Sequence, residues 1–311
     1  MKCIIYCFSG TGNTKLVSKM LANALSVYNI ATDISLIDYT AYKKGTYPSP
    51  NDYDIVGVSY PIYGFNAPFL VNRFVKHLPR SSKYQKAFII KTSGEPFKMN
   101  HHSSSIIKRY LKHKGYDVRY EKHFLMPYNI MFRYPDSLVK QMYLYAKEYT
   151  KVSAKHIKNG DRCLLHGLPL GWIVYVIAKL VWIGGPIIGK TYHINKSRCI
   201  KCNLCVNNCP MNNIKLNKKT GFPKFGKHCM ICMRCVMYCP HNAINAGILN
   251  PWKVNGSYNF DSIVKDNTIS SDYVNKITSG YFKLFNKYFD LMDIDLKKDG
   301  VTPPRESIPQ N

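Results

Sequence analysis

The sequence predicts an α/β protein: a doubly wound parallel sheet of five strands, followed by a small α+β domain built around cysteines. Two observations carry that expectation. Five apolar, strand-like runs alternate with helical patterns over the first 160 residues, the arrangement that folds as βα units. Beyond them, eight of the eleven cysteines fall in one unit that occurs twice.

The first run, KCIIYCF at 2–8, reads as a short buried strand, and a glycine-rich turn leads from it into the amphipathic stretch LVSKMLANAL. Further strand candidates are ATDISLI (31–37), DIVGVSY (54–60), KAFIIKT (86–92) and the stretch around 116–126. Helical patterns fill 68–78 and 103–115, and a long one runs from Asp136 to about Lys158. The chain then divides into a sheet domain (1–160), an apolar connecting helical segment (161–190), the cysteine domain (191–250), a helical extension (251–298) and a disordered tail (299–311). Cys3 and Cys7 share one side of the first strand and read as small core residues. Cys163 stands alone, and His101 and His102 read as a solvated loop.

Residues 164–189 are the most apolar stretch, and their length suits a transmembrane helix. Lys179, Pro169 and the Gly184-Gly185-Pro186 break argue against a span. A helix packed between the domains is expected, with contact at a membrane surface as the alternative.

The formal net charge is +26, and it is unevenly placed. Between Asp161 and Asp261 there is no Asp or Glu, against thirteen Lys and Arg. Such a field suits an acidic protein, an anionic membrane surface or nucleic acid. No interleaved aromatic stacking face accompanies it, so nucleic acid is not expected. The opening MKCIIYCFSGTGNT has no secretory signal pattern, so a reducing cytoplasmic location is expected, where disulfide frameworks are disfavoured.

Ser9-Gly10-Thr11-Gly12-Asn13-Thr14 sits between the first strand and its helix. Three hydroxyls and backbone N–H groups freed by the glycines make a neutral anion cradle at a helix N-terminus. The loop lacks the Gly-Lys-Ser/Thr ending that nucleotide triphosphate hydrolysis needs. An ordinary capped helix start remains the other reading of the loop taken alone.

The duplicated unit is CIKCNLCVNNCP at 199–210 and CMICMRCVMYCP at 229–240. Cys199, Cys202, Cys205, Cys209 and Pro210 recur as Cys229, Cys232, Cys235, Cys239 and Pro240, each thirty residues on. Paired C-x2-C knuckles would serve zinc. Here each half adds a third cysteine at the same short spacing and a fourth beside a proline. That pattern resembles the bacterial dicluster ferredoxins over about residues 192–248. The resemblance implies crossed ligation of two [4Fe–4S] clusters, one held by Cys199, Cys202, Cys205 and Cys239, the other by Cys229, Cys232, Cys235 and Cys209. Zinc or a purely structural role is the residual alternative. Glycines usual in that family are replaced by Lys201 and Asn203 in the first half and by Ile231 and Met233 in the second. Ile and Met tolerate a left-handed backbone poorly, so a different backbone is expected around the second cluster.

The N-terminal loop, with its strand and helix count, resembles the FMN-phosphate loop of flavodoxins. The implied fold is the flavodoxin-like sheet of order 2-1-3-4-5, with FMN at the carboxyl ends of its strands. Ser9, Gly10, Thr11, Gly12, Asn13 and Thr14 would then hold the phosphate. The ends of the third and fourth strands (Tyr60, Pro61, Tyr63 and Gly64; Thr92, Ser93 and Gly94) would flank the isoalloxazine, with Tyr63 the expected stacking partner. FLMPYNIMFRYPD at 124–136 also resembles members of the flavodoxin–ferredoxin fusion proteins of anaerobic bacteria and archaea. That likeness implies FMN, two [4Fe–4S] clusters and electron transfer. The charge points to an acidic redox partner. No paired-carboxylate or Ser/His/Asp arrangement stands out, and no G-x-G-x-x-G follows a strand. An electron carrier is therefore expected ahead of an oxidoreductase with its own small substrate. The competing function is a basic nucleic-acid or membrane-surface binder whose clusters only brace the fold.

Overall fold

The computed structural model describes residues 1–306; within the long apolar helix, the side chains at 174, 175 and 179–183, Lys179 among them, lie outside the described set. The elements of the first domain are β1 (Lys2–Cys7), α1 (Asn13–Ser26), β2 (Ala31–Leu36), α2 (Tyr39–Lys44), β3 (Ile55–Pro61), α3 (Phe69–His77), β4 (Lys86–Ser93), α4 (Ser105–His113), β5 (Asp117–Leu125) and α5 (Asp136–Asn159). The strands pair in parallel in the order β2-β1-β3-β4-β5. This is the flavodoxin-like order, and it places the switch point between β1 and β3, where ligands of open α/β sheets bind. β1 is apolar on both faces because both are covered: Cys3, Ile5 and Cys7 enter one core and Ile4, Tyr6 and Phe8 the other.

The second part contains α6 (Gly171–Lys190), β6 (His193–Ile194), α7 (Leu204–Asn207), β7 (Ile214–Leu216), β8 (Pro223–Phe225), α8 (Arg234–Met237) and β9 (Ile244–Asn245), then α9 (Phe260–Lys265) and α10 (Lys283–Lys298). Two short antiparallel pairs, β6 with β9 and β7 with β8, frame the cysteine unit. The two halves share cores. Met211 and Met230, which flank the cysteines in sequence, are buried in the first domain's hydrophobic core, and the Tyr39 N–H donates to the Pro210 carbonyl at 2.8 Å.

Three sequence expectations change here. The stretch after Asn259 is not an appended extension: Phe285, Phe289, Met292 and Leu296 of α10 are buried in the same core as α1 and α5. Their i, i+4, i+7, i+11 spacing is the stripe of a core-facing helix. Residues 299–306, expected to be disordered, are tied down, with Pro303 and Pro304 buried and Arg305 reaching Asp290 at 2.8 Å and Asp293 at 3.3 Å; the rest of that tail lies outside the described residues. His101 and His102 are not a solvated loop, because their rings bond the carbonyls of His166 (3.0 Å) and Leu168 (2.9 Å) and so fasten the chain entering α6.

Among the described residues no helix is long and apolar enough to cross a membrane.

Candidate electron-transfer site

The phosphate-type loop is built from its backbone. Gly12, at φ +104°, turns the chain into α1 without a side-chain cap, a conformation open to glycine. The Ser9 hydroxyl oxygen accepts from the N–H groups of Gly12 and Lys15, both at 3.2 Å, which leaves its own proton free to point outward. The N–H groups of Gly10, Thr11, Asn13 and Thr14 have no acceptor among the described residues. Thr14 is buried and its hydroxyl pairs with that of Thr92 at 2.7 Å, so it joins the first loop to the end of β4 and only one of the two protons remains to donate. Asn13 donates to the Pro127 carbonyl at 2.7 Å and fixes the loop after β5. Four unsatisfied N–H groups at the start of a 14-residue helix are a fit for a phosphate dianion.

The cavity above this loop is lined by Ser9, Gly10, Thr11, Asn13 and Thr14, by Pro61, Tyr63 and Gly64, and by Thr92, Ser93 and Gly94. Tyr60 is not in that wall; it is fully buried beneath it, its hydroxyl 3.5 Å from that of Ser103. The loop Met126–Met131 forms the third wall. Among the described residues, Glu95 is the one carboxylic acid in the lining. It accepts a short hydrogen bond from the Tyr128 hydroxyl, and burial raises its carboxyl above the ordinary range although that bond opposes the shift. Glu95 continues the Thr92-Ser93-Gly94 loop that was expected beside the isoalloxazine, whereas motif reading missed the 126–131 loop as a wall. The available signal was FLMPYNIMFRYPD, whose conspicuous apolar and aromatic content has no strand or helix period.

The cysteine domain supplies the fourth wall, through Met230, Ile231 and Leu249, together with Ile188 of α6. Asn129 donates to the Cys232 carbonyl at 3.3 Å, and the Tyr238 hydroxyl donates to the Thr11 carbonyl at 2.8 Å. A Cβ on Gly10 would overlap the Tyr63 hydroxyl and lie 3.0 Å from the Cys232 carbonyl oxygen. Tyr63 therefore has two roles in the geometry: its ring lines the cavity, and its buried hydroxyl, with no partner among the described residues, is wedged between Gly10 and Cys232.

The eight motif cysteines gather into two quartets, crossed between the halves. Cys199, Cys202, Cys205 and Cys239 line one cavity, and Cys209, Cys229, Cys232 and Cys235 line another. None is in a disulfide. Among the described residues no group of His, Cys, Asp or Glu is spaced to hold a single metal ion; the sulfurs instead surround spaces. Burial and neighbouring thiols push Cys229 up to about 11 and Cys232 up to about 12, and raise Cys235 well above its ordinary value. These three buried thiols cannot all ionise together without a cationic centre among them, and bound metal would supply one. Cys205 lies within electrostatic reach of Cys235, so the two cavities adjoin.

The surroundings of the quartets differ. The first cavity has exposed walls: Arg198, Ile200, Cys202, Leu204 and His241. The second is closed by buried Tyr192, Met211, Asn213, Met230 and Met233. The first is thus distal and the second proximal to the flavodoxin-like cavity.

The expected backbone difference around the second quartet is absent. Lys201 and Ile231 have φ of 55° and 54°, and Asn203 and Met233 of 60° and 57°. The wrap is the same in both halves, and the left-handed Ile and Met cost roughly 1–2 kcal/mol each. Packing holds them there: Met233 is buried, and the Tyr192 hydroxyl donates to its sulfur at 3.1 Å. Ile231 is needed as cavity wall.

Fold and site together define a flavodoxin-like domain joined to a crossed dicluster iron–sulfur domain. Residues 198–244 match the family model described as a 4Fe-4S dicluster domain, and the chain carries sites for two [4Fe–4S] clusters. No curated protein matches the chain. Among solved structures, oxidised flavodoxin 1 from Bacillus cereus is 13% identical, covering 49% of this chain and 98% of its own, with a TM-score of 0.34. A flavodoxin from the domain Archaea is 13% identical over 51% of this chain and 99% of its own, at 0.32. General stress protein 14 from Treponema denticola, solved in complex with FMN, is 14% identical over 51% and 97%, at 0.31. The strand order carries the fold assignment; at these scores the likenesses carry none of it.

Proposed function

We propose that this chain is an electron-transfer iron–sulfur flavoprotein whose sites run in the order protein surface, distal quartet, proximal quartet, FMN cavity. The observation that supports it is the seating of Cys232 against Gly10 and Tyr63, which leaves no solvent layer between the proximal quartet and the phosphate loop. When bound, the clusters exchange single electrons, and FMN takes one or two. The chain's own residues do the rest. The N–H groups of Gly10, Thr11, Asn13 and Thr14 would hold the phosphate. Met230 and Ile231 exclude water between the sites, and burial makes the Glu95 carboxyl at the cavity wall harder to ionise than an ordinary one.

Gly10→Ala tests the junction. The added methyl has no room unless Tyr63 or the Cys232 backbone moves, and FMN retained after gel filtration should fall at least about tenfold. Iron content should stay at the parental level. Undiminished FMN would separate the phosphate loop from flavin binding.

The partner is a small acidic redox protein docking on the distal quartet. Pro223 of the β7–β8 hairpin lines that cavity, and Lys215, Lys218 and Lys219 are exposed on the same hairpin. Electron exchange with an acidic ferredoxin should slow steeply as salt rises through about 0.1 M, where the Debye length is about 10 Å. Reversing the three lysines to Glu should lower the second-order rate about fivefold or more and flatten its salt dependence. A rate indifferent to both would remove the acidic partner.

A further inference from the structure

α6 is built inside out for a helix on a water-facing surface. Gly171, Ala178, Gly185 and Gly189 are buried on the side facing the protein. They are small because the approach is close: a Cβ on Gly189 would overlap that of Cys229, and one on Gly185 would lie 3.2 Å from the Cys229 carbonyl. Five of the described large apolar residues point the other way. Trp172, Ile173, Val176, Ile177 and Ile187 fall on one face at helical spacing, and Trp172, Ile177 and Ile187 are 55%, 59% and 63% exposed. Lys190, also exposed, closes the same face.

This surface does not end with the helix. The segment Gly247–Trp252 packs on α6, and its Ile248 and Trp252 are exposed. The Met131 N–H donates to the Trp252 carbonyl at 2.7 Å, and Met131 is exposed as well. Ile188, Leu249 and Met131 line the flavodoxin-like cavity, so the apolar surface runs from α6 to the cavity's rim.

We propose that α6 lies flat on an anionic membrane surface, its outward face in the boundary between headgroups and acyl chains. A span is excluded by packing, since one side of the helix is fastened to the proximal quartet's loop. The choice of occupant rests on charge. Lys190 is exposed on this face, and no Asp or Glu occurs between Asp161 and Asp261, so neither α6 nor the Gly247–Trp252 segment offers a carboxylate to repel anionic headgroups or to pair with the Lys190 of a second copy. An acidic soluble carrier would use the charge but not this apolar area. Docking in this way brings the rim of the cavity to the bilayer.

The test is flotation of the full chain, purified anaerobically with its clusters, alongside vesicles of phosphatidylcholine alone or mixed with phosphatidylglycerol. Co-flotation with the mixed vesicles at least about tenfold above the neutral ones is expected, together with weakening at high salt. Val176→Glu with Ile177→Glu should abolish flotation at unchanged iron content, because both side chains are exposed. Failure of the parent chain to float, or equal flotation of the double variant, would overturn the proposal. So would sedimentation showing a dimer that the double variant splits, which would give the face to a second copy. Loss of binding to an acidic carrier without any vesicle binding would give it to a protein.

Discussion

Cys209→Ala is expected to remove the proximal cluster, although Cys209 belongs to the first motif. The structure puts its sulfur with Cys229, Cys232 and Cys235, so its loss leaves three ligands around that cavity and four around the distal one. Iron should fall from about eight per chain to about four. Cys239→Ala should give the same count by emptying the other cavity. The two variants then differ where it matters. With Cys209 replaced, a dithionite-reduced acidic ferredoxin should still reduce the remaining cluster, but flavin bleaching should slow by orders of magnitude because the site beside Gly10 and Tyr63 is empty. With Cys239 replaced, flavin bleaching through the partner should slow because the surface entry is gone, while the proximal cluster still bleaches with the flavin under direct chemical reduction. Equal behaviour of the two variants would refute the order of sites.

Glu121→Gln is the substitution expected to cost the most stability. Glu121 of β5 and Lys91 of β4 have wholly buried side chains 2.6 Å apart, and Lys108 adds a second cation at 2.9 Å. Burial opposes ionisation of Glu121, but Lys91 and Lys108 outweigh it and hold the carboxyl below its ordinary value. Burial likewise lowers Lys91, against the pull of Glu121. A glutamine keeps the shape and strands the Lys91 ammonium, which costs about 3–5 kcal/mol in measured cases. The midpoint of denaturant unfolding at pH 7 should drop accordingly. Because the folded carboxyl is depressed, the parent's stabilisation is fully present above about pH 4.5, the ordinary value, and is lost as pH falls through the lower folded value. The difference between parent and variant should therefore shrink in acid. Replacing both buried partners, with Lys91→Met and Glu121→Leu, should recover part of the loss, since the charge left without its partner is then that of Lys108, which is partly exposed to water.

The sheet was legible because its signal is local. Each βα unit carries its own apolar run and its own amphipathic stretch, and the boundaries of the five strands lie within one residue of where the pattern puts them. The cysteine quartets were legible for another reason: spacing of two, two and three residues followed by proline leaves few ways to wrap a metal–sulfide cube. What escaped the sequence is mostly relational. Nothing in KLFNKYFDLMDI says that Phe285 and Phe289 return to the core of α5 from more than a hundred residues away. Tyr60 and Tyr63 were both expected beside the isoalloxazine, yet Tyr60, inside β3, is buried beneath the cavity, while Tyr63, past the strand's end, reaches the junction with Cys232. Ile231 and Met233 looked like evidence for a different backbone. Instead the tertiary packing of Met233 under Tyr192 overrides their local preference, as strained residues at functional sites commonly require.

The central claim is one chain with two redox-active clusters and a flavin, and the cofactor content and visible spectrum of anaerobically purified protein test it most directly. The account predicts about eight iron, eight acid-labile sulfides and one FMN per chain, with cluster and flavin absorption both bleached by dithionite. Iron near four, clusters that resist reduction, or a full iron complement in a chain that takes up no FMN would contradict it.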